Sequence, residues 1–223
     1  MDGILLIDKD LAATSFGVLA KLRRRFGLTK VGHAGTLDPL ATGLLVALLG
    51  KATKLSAALS SSDKVYDAII RFGYSTVTDD REGVALQFGN FSTITEENIR
   101  RVLPKFLGEQ LQIPPQFCAK KINGVPCYRH ARRGLGISLA PNAIQIYNLR
   151  IINWSTPLLR LEISCSKGTY IRSLARDIGQ RLGCPAHLHG LRRIKCGEFS
   201  IDASHKLCAL LNLSPQELRA TTA

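Results

Sequence analysis

Residues 32–43 read GHAGTLDPLATG, three glycines and one proline around a single carboxylate, Asp38. A carboxylate held in place can attack as a nucleophile or carry a proton. Pro39 fixes its own φ and drives Asp38 toward extended backbone. Asp-Pro also opens ordinary turns, so the dipeptide alone leaves two readings open: a surface turn, or a constrained acid. In the second reading Gly32, Gly35 and Gly43 let a ligand approach the backbone, and His33 offers a ring that can stack or hydrogen-bond. An acid beside apolar strands needs a cation to stay ionised, because desolvation raises its pKa. Arg172 is a candidate, since it falls in the first turn of an expected helix, where a cation opposes the helix dipole by about 0.3–1 kcal/mol. A nearby anion would offset that cost; a solvated surface arginine is the other reading.

Other chemistries find less support. Six cysteines, at 118, 127, 165, 184, 196 and 208, read as free thiols, because disulfide frameworks belong to small secreted chains. Cys184, His187, His189 and Cys196 bring soft ligands close in sequence, but without a C-x-x-C pair they predict no metal site. Neither G-x-x-x-x-G-K-[ST] nor G-x-G-x-x-G occurs, so no nucleotide cofactor is expected.

The composition points to a polyanionic partner. Thirty Lys and Arg against 17 Asp and Glu give a formal charge of +13, more than solubility requires. The cations cluster at Lys21, Arg23 to Arg25 and Lys30, at Lys120, Lys121, Arg129, Arg132 and Arg133, and at Arg192, Arg193 and Lys195. For Arg23 to Arg25, complementing a helix dipole explains the charge as well as RNA contact does. The 223 residues, 45% of them hydrophobic, suffice for one sizeable core. No apolar run is long enough to span a bilayer, and the acidic start MDGILLIDKD does not fit a signal peptide, so a cytoplasmic protein is expected.

The elements that must position these groups are mixed. Residues 3–9 and the uncharged run LLVALLG at 44–50 read as strands. Between them, Thr14 or Ser15 caps a helix with Phe16, Leu19, Ala20 and Leu22 on its buried side. A short helix is expected over 51–59. KVYDAIIRFGY alternates, placing Tyr66, Ala68, Ile70 and Phe72 on one inward face. TVTDDREG at 76–83 reads as a polar turn, and Thr93 with Glu96 as a capping box for a helix ending near Leu107. Strands are expected near 143–153 and 158–165, then a helix after Gly168 burying Ile171, Leu174, Ala175, Ile178 and Leu182. A strand within 187–200 and a short helix capped by Ser214 complete the chain. The prolines at 114, 115 and 126 mark about 114–142 as an inserted basic arm. With no regular β-α repeat, the expected class is α+β.

Taken in order, these stretches resemble the TruB family of tRNA pseudouridine synthases over essentially the whole chain. GHAGTLDPLATG is similar to the family's G-H-x-G-x-L-D-P-x-A-x-G at every specified position. KVYDAIIRFG is similar to the second motif, SKGTYIRSLARDIG to the third, and HLHGLRR brings Leu191. The resemblance implies a mostly antiparallel mixed sheet with flanking helices, and isomerisation of uridine to pseudouridine at nucleotide position 55 in the T-arm of tRNA. It implies Asp38 as nucleophile, at the sugar C1′ or the base C6, with Arg172 as its cation. Tyr66 would stack on the extruded base and help remove the C5 proton, His33 would fill the space left by the flipped nucleotide, and Tyr170 and Leu191 would line the uracil pocket. Base flipping costs a few kcal/mol of unstacking, and Lys120, Lys121, Arg129, Arg132 and Arg133 are the expected phosphate contacts. No cofactor or metal is implied, and a monomer is expected.

Two departures stand out. Where relatives read D-K-P-x-G, this chain has Asp8-Lys9-Asp10-Leu11-Ala12, which leaves the shape of that loop open. Where relatives read P-P-x-Y-S-A-x-K, Phe117 and Cys118 replace the tyrosine and serine. The expected organisation is a single catalytic domain over 1–223, with no room for a C-terminal PUA domain. A non-catalytic tRNA-binding or folding protein on the same scaffold is the competing function.

Overall fold

The computed structural model describes residues 1–222 apart from 119, 123, 132, 134, 135 and 137; the side chains of Lys121 and Ile122 also lie outside the description. The chain divides into two compact units, Met1–Asp67 with Leu191–Ala223, and Ala68–Gly190. The class is the expected one, strands in mostly antiparallel pairs with flanking helices.

The first unit is built on the strand Ala41–Leu49, nine uncharged residues of which eight are buried. Burial on both faces suits a near-continuous apolar run. It begins three residues earlier than LLVALLG suggests, inside the glycine-rich signature. It pairs antiparallel with Gly3–Lys9, Gly3 opposite Leu49 and Lys9 opposite Gly43, and with Val31–His33, His33 opposite Ala47. On its other edge Leu191, Arg192 and Arg193 run parallel beside Ala41, Thr42 and Gly43.

The helix Ser15–Phe26 covers one face. Thr14 caps it, accepting from Gly17 N–H, and Gly27 ends it at φ 61°. Val18, Leu19 and Leu22 pack with Leu5, Ile7, Leu45 and Leu49. Phe16 and Ala20, expected among them, are not: Phe16 is 74% exposed and Ala20 half-buried, and Val18 occupies the core-facing position. On the opposite face Leu44, Val46 and Leu48 meet Ile4, Leu6 and Phe199. The short helix expected at 51–59 is a 3₁₀ turn, Gly50–Leu55, running into Ser56–Ser60.

In the second unit the hairpin Asn142–Ser155 and Leu158–Cys165 is antiparallel, with irregularities between Ile146 and Asn148 and between Ile151 and Asn153. The strand Gly108–Gln112, absent from the sequence expectations, pairs with the first residues of that hairpin. Its alternating Glu109, Gln110, Leu111 and Gln112 carry too little apolar signal to announce it. The helix Glu96–Val102 has its capping box two residues later than predicted: Thr95 and Asn98 exchange the bonds assigned to Thr93 and Glu96. The helix Ile171–Arg181 buries Ile171, Leu174, Ala175 and Ile178 as the spacing predicts, whereas Leu182, expected with them, caps the helix end and is only half-buried. Among the described residues no helix is long and apolar enough to cross a membrane.

Candidate active site

Asp38 is half-buried in the connection between Val31–His33 and Ala41–Leu49. Its loop is fixed through main-chain atoms by side chains from other segments. Ser15 Oγ accepts from Leu37 N–H at 2.9 Å and donates to the Leu37 carbonyl at 3.1 Å. Fully buried Lys9 donates to the carbonyls of Asp10, Ala13 and Pro39 at 3.0, 2.6 and 3.5 Å. Pro39 O also accepts from Ala12 N–H at 2.9 Å, and Ala41 N–H closes a turn onto Asp38 O at 3.0 Å. A buried ammonium or guanidinium is tolerated only when its protons find acceptors, and here those acceptors are the backbone of the loop.

Arg193 repeats the device. Buried at 1% exposure, it donates to Leu44 O at 2.8 Å and Gly35 O at 3.1 Å. Beside it Gly43 adopts φ 97°, and a Cβ there would lie 2.3 Å from the Arg193 carbonyl oxygen. This glycine is required both by conformation and by close approach.

Within the departure at Asp8–Ala12, Ala12 takes φ 63°, a conformation suited to glycine, at the position where relatives carry one. Asp8 is set against Arg192 and Lys206 at 2.9 and 3.0 Å. Burial works against its ionisation, but hydrogen bonds from those two cations outweigh it and hold the carboxyl below its ordinary value.

His33 ends its strand with its carbonyl accepting from Ser56 Oγ at 3.0 Å. Burial, and then the charge of Arg193, lower its pKa, so the ring is neutral near pH 7. Its Nδ1 finds no hydrogen-bond partner among the described residues. Leu191 is half-buried opposite Ala41, against the cluster that includes Leu37. Tyr66 is half-buried in Lys64–Phe72.

In the second unit Tyr170 and Arg172 open the helix Ile171–Arg181. Gln112 clamps Tyr170 at both main-chain groups, accepting from its N–H at 2.8 Å and donating to its carbonyl at 3.1 Å. Arg172 is no surface arginine: its side chain is 8% exposed and pairs with Asp80 at 3.4 Å. It also donates to Thr78 O at 3.2 Å and Phe117 O at 3.0 Å. The compensation that its place at a helix N-terminus calls for is therefore present, supplied in part by Asp80.

Asp80 is the residue that sequence reasoning passes over. TVTDDREG is an ordered loop in which Asp80 Oδ1 accepts from Thr78 Oγ1 at 2.6 Å and from Glu82 N–H at 3.1 Å. Thr76 Oγ1 donates to the Asp80 carbonyl at 2.6 Å. Leu188 N–H bonds Asp79 O, and Arg81 N–H bonds Leu188 O, both at 3.0 Å. The neighbouring Asp79 pairs with Arg176 at 2.7 Å, one helical turn beyond Arg172. Burial pushes the Asp79 carboxyl up despite the opposing charges of Arg176 and Arg172. The available signal is the density of hydroxyls and acids in T-V-T-D-D.

The arm residues divide. Lys120 is engaged internally, donating to Ala140 O at 3.2 Å and Asn142 Oδ1 at 2.9 Å. Arg129 and Arg133 are exposed, whereas the Lys121 side chain and Arg132 lie outside the described residues. Among the described residues no His, Cys, Asp and Glu side chains gather as a metal site. His187 Nδ1 meets Tyr74 O at 2.9 Å, and Cys196 packs against Ala34 and Leu59 carbonyls.

Residues 23–171 match the TruB family pseudouridylate synthase N-terminal domain, and residues 172–221 the tRNA pseudouridylate synthase B C-terminal domain. The tRNA pseudouridine synthase B of Opitutus terrae is 41% identical over 98% of this chain and 90% of its own. That of Dechloromonas aromatica is 46% identical over 96% and 71%. Among solved structures, a chain of a Cbf5-Nop10-Gar1 complex superposes with a TM-score of 0.77 at 25% identity, covering 99% of this chain and 59% of that one. A chain of an H/ACA RNP bound to a substrate RNA containing 2'-deoxyuridine gives 0.71 at 26%, covering 94% and 52%. This chain thus spans a little over half the length of those two. With the family match extending over most of the sequence and the aspartate loop built as described, the chain belongs to the TruB family of pseudouridylate synthases.

Proposed function

We propose that this protein isomerises uridine to pseudouridine in tRNA, at position 55 of the T-arm, with Asp38 as the nucleophile. The observation that carries the reading is the Asp38 loop: its main chain is locked by Ser15 and Lys9 on one side and Arg193 on the other. A preorganised carboxylate loses little freedom on reaching the transition state.

The reaction conserves atoms. Asp38 either bonds to the sugar C1′ as N1 leaves or adds to the base C6 before the N1–C1′ bond breaks. The uracil turns and C5 joins C1′, displacing Asp38 from C1′ in the first route and followed by its elimination from C6 in the second, while C5 gives up a proton and N1 gains one. Arg172 supplies cationic charge, held for that task by Asp80 and two carbonyls. Tyr66, Tyr170 and Leu191 contact the extruded base. His33, neutral and with an apolar ring face, takes the space left in the RNA rather than a phosphate. Arg129 and Arg133, with Lys121 and Arg132, supply backbone contacts.

The test is to incubate unmodified tRNA with wild type and Asp38→Asn and to map pseudouridine at every uridine. Product at position 55 with wild type, and a loss of at least about 1000-fold with Asp38→Asn at retained tRNA binding, is the expected result. A wild type that binds tRNA but forms no product would instead identify a non-catalytic binding protein.

A further inference from the structure

We infer that the solvent face of the helix Ser15–Phe26 is a second RNA-contact surface, with Phe16 as a base-stacking platform and Lys21 and Arg24 as phosphate ligands. The inference rests on the tRNA substrate proposed above and deepens it.

The helix has two unlike faces. Ser15, Val18, Leu19 and Leu22 are buried. The opposite side presents, in helical order, Phe16, Ala20 and Arg24, with Gly17 and Lys21 alongside. Phe16 at 74% and the preceding Leu11 at 52% are far more exposed than a soluble surface needs. Beyond the small Gly17 and Ala20 lies an open groove of about 610 Å³ lined by Ala20, Lys21, Arg24, Arg25 and Leu211. The sequence from Leu11 to Leu37 holds five cations and no carboxylate. Lys21 and Arg24 make no ion pair among the described residues, and the groove lining contains no acid.

Arg25 separates from its neighbours. It donates to Leu211 O and Leu213 O at 2.8 and 3.1 Å and lies over the Phe26 ring, so it ties down the C-terminal segment. The arginine triplet therefore splits into a structural member and members whose charge faces solvent. An exposed aromatic next to cations on an acid-free face is the arrangement that binds nucleic-acid strands, the ring taking a base and the cations the backbone. A direct link joins this face to the candidate site: Ser15, next to Phe16, carries both hydrogen bonds to Leu37, next to Asp38. Phe16 thus follows directly in sequence the buried residue that anchors the Asp38 loop.

The experiment measures tRNA Kd against salt concentration for wild type, Lys21→Gln/Arg24→Gln, Phe16→Ala and Phe16→Trp. Arg101→Gln/Lys105→Gln removes the same charge elsewhere as a control. The groove variant is expected to lower the log–log salt slope by roughly 0.7–0.9 for each phosphate that it no longer neutralises, while the control keeps the wild-type slope. Lys21→Gln with Arg24→Lys should recover about half of the loss. Phe16→Ala is expected to bind about tenfold more weakly at unchanged slope, and Phe16→Trp to bind at least as well as wild type. Equal slopes for groove variant and control, or wild-type affinity in Phe16→Ala, overturn the inference. All these side chains are exposed, so thermal melts should coincide. Pseudouridine mapped in parallel keeps the two claims apart: tRNA modified by wild type, with groove variants binding normally, removes this surface and leaves the reaction standing.

Discussion

Two non-glycine residues among those described adopt left-handed backbone, Ala12 at φ 63° and Asp79 at φ 59°, and each stands at a loop that matters. Ala12 braces the Asp38 loop through Pro39; Asp79 belongs to the loop whose Asp80 holds Arg172. The first loop is held by borrowed groups, Ser15, Lys9 and Arg193, all acting on main-chain atoms. The second is held largely from within, by Thr76, Thr78 and Asp80, and is tied outward by the Asp79 and Asp80 carboxylates to Arg176 and Arg172 and by its main chain to Leu188. An aspartate tolerates left-handed backbone because its short polar group bonds locally, and Asp79 also gains Arg176. Ala12 has only its N–H bond to set against the strain. Borrowed support leaves the loop's own sequence available for chemistry, whereas self-support commits it to scaffolding.

The largest expected effect follows from that commitment. Asp80→Ala removes the carboxylate beside a buried guanidinium, orphans Glu82 N–H and leaves Thr78 Oγ1 only its longer bond to the main-chain carbonyl of residue 80. It should cost about 3–5 kcal/mol in denaturant unfolding. Thr36→Ala, an exposed change inside the Asp38 loop, should stay within about 0.5 kcal/mol. Similar costs for the two would remove the distinction. Gly43→Ala comes next, at about 2 kcal/mol or more: it strains the backbone at φ 97° and drives Cβ into the Arg193 carbonyl. A melting temperature equal to wild type would show that the strand Ala41–Leu49 can yield there.

Much of the borrowed loop is legible in the sequence and much of the self-supported one is not. Asp38, its glycines and the flanking strands announce themselves by local composition, as does the Thr14 cap. TVTDDREG reads as a turn because its meaning lies in Arg172 and Arg176, more than 90 residues away, and no local pattern encodes such pairings. Lys9 and Arg193 are visible only as charges inside apolar strands. That irregularity is itself a signal, since a buried cation must have acceptors waiting. Phe16 misleads when hydrophobicity is read without the helix phase, which Val18, Leu19 and Leu22 set.

Smaller perturbations separate positioning from stability. Ser15→Ala leaves the Leu37 N–H and carbonyl without their partner and should cost about 1–2 kcal/mol. At a temperature where the variant is fully folded, kcat should still fall, by up to about 100-fold, because a small displacement of a reacting group is expensive. Unchanged kcat would mean that Lys9 and Arg193 suffice to hold the loop.

Acid titration probes the second unit. Burial lowers the pKa of His187, the nearby charges of His189 and Arg71 adding to it, while the Tyr74 bond and Asp80 oppose it. A histidine depressed in the folded state contributes stability that is complete above its ordinary value near 6.5 and is lost as pH falls below it. Between pH 7 and 5.5 the loss should reach no more than about 1 kcal/mol for this group. His187→Asn, which can still donate to Tyr74 O, should show a smaller drop in melting temperature over that interval; an equal drop would assign the effect to other groups.

The smallest effect carries the opposite sign. At Ala12 the left-handed conformation costs an alanine roughly 1–2 kcal/mol, and glycine removes that cost while losing about 0.5–1 kcal/mol more to chain entropy on folding. Ala12→Gly is therefore expected to stabilise by about 0.5–1 kcal/mol, with the bond to Pro39 retained because only its N–H takes part. Asp79→Gly relieves the same backbone but forfeits the Arg176 pair, and should destabilise. Paired denaturant melts of the two variants compare identical backbone changes in the two loops. Opposite signs would confirm that one left-handed residue is simply strained and the other compensated; the same sign in both would mean that Asp79's side chain gives its loop nothing beyond what glycine could.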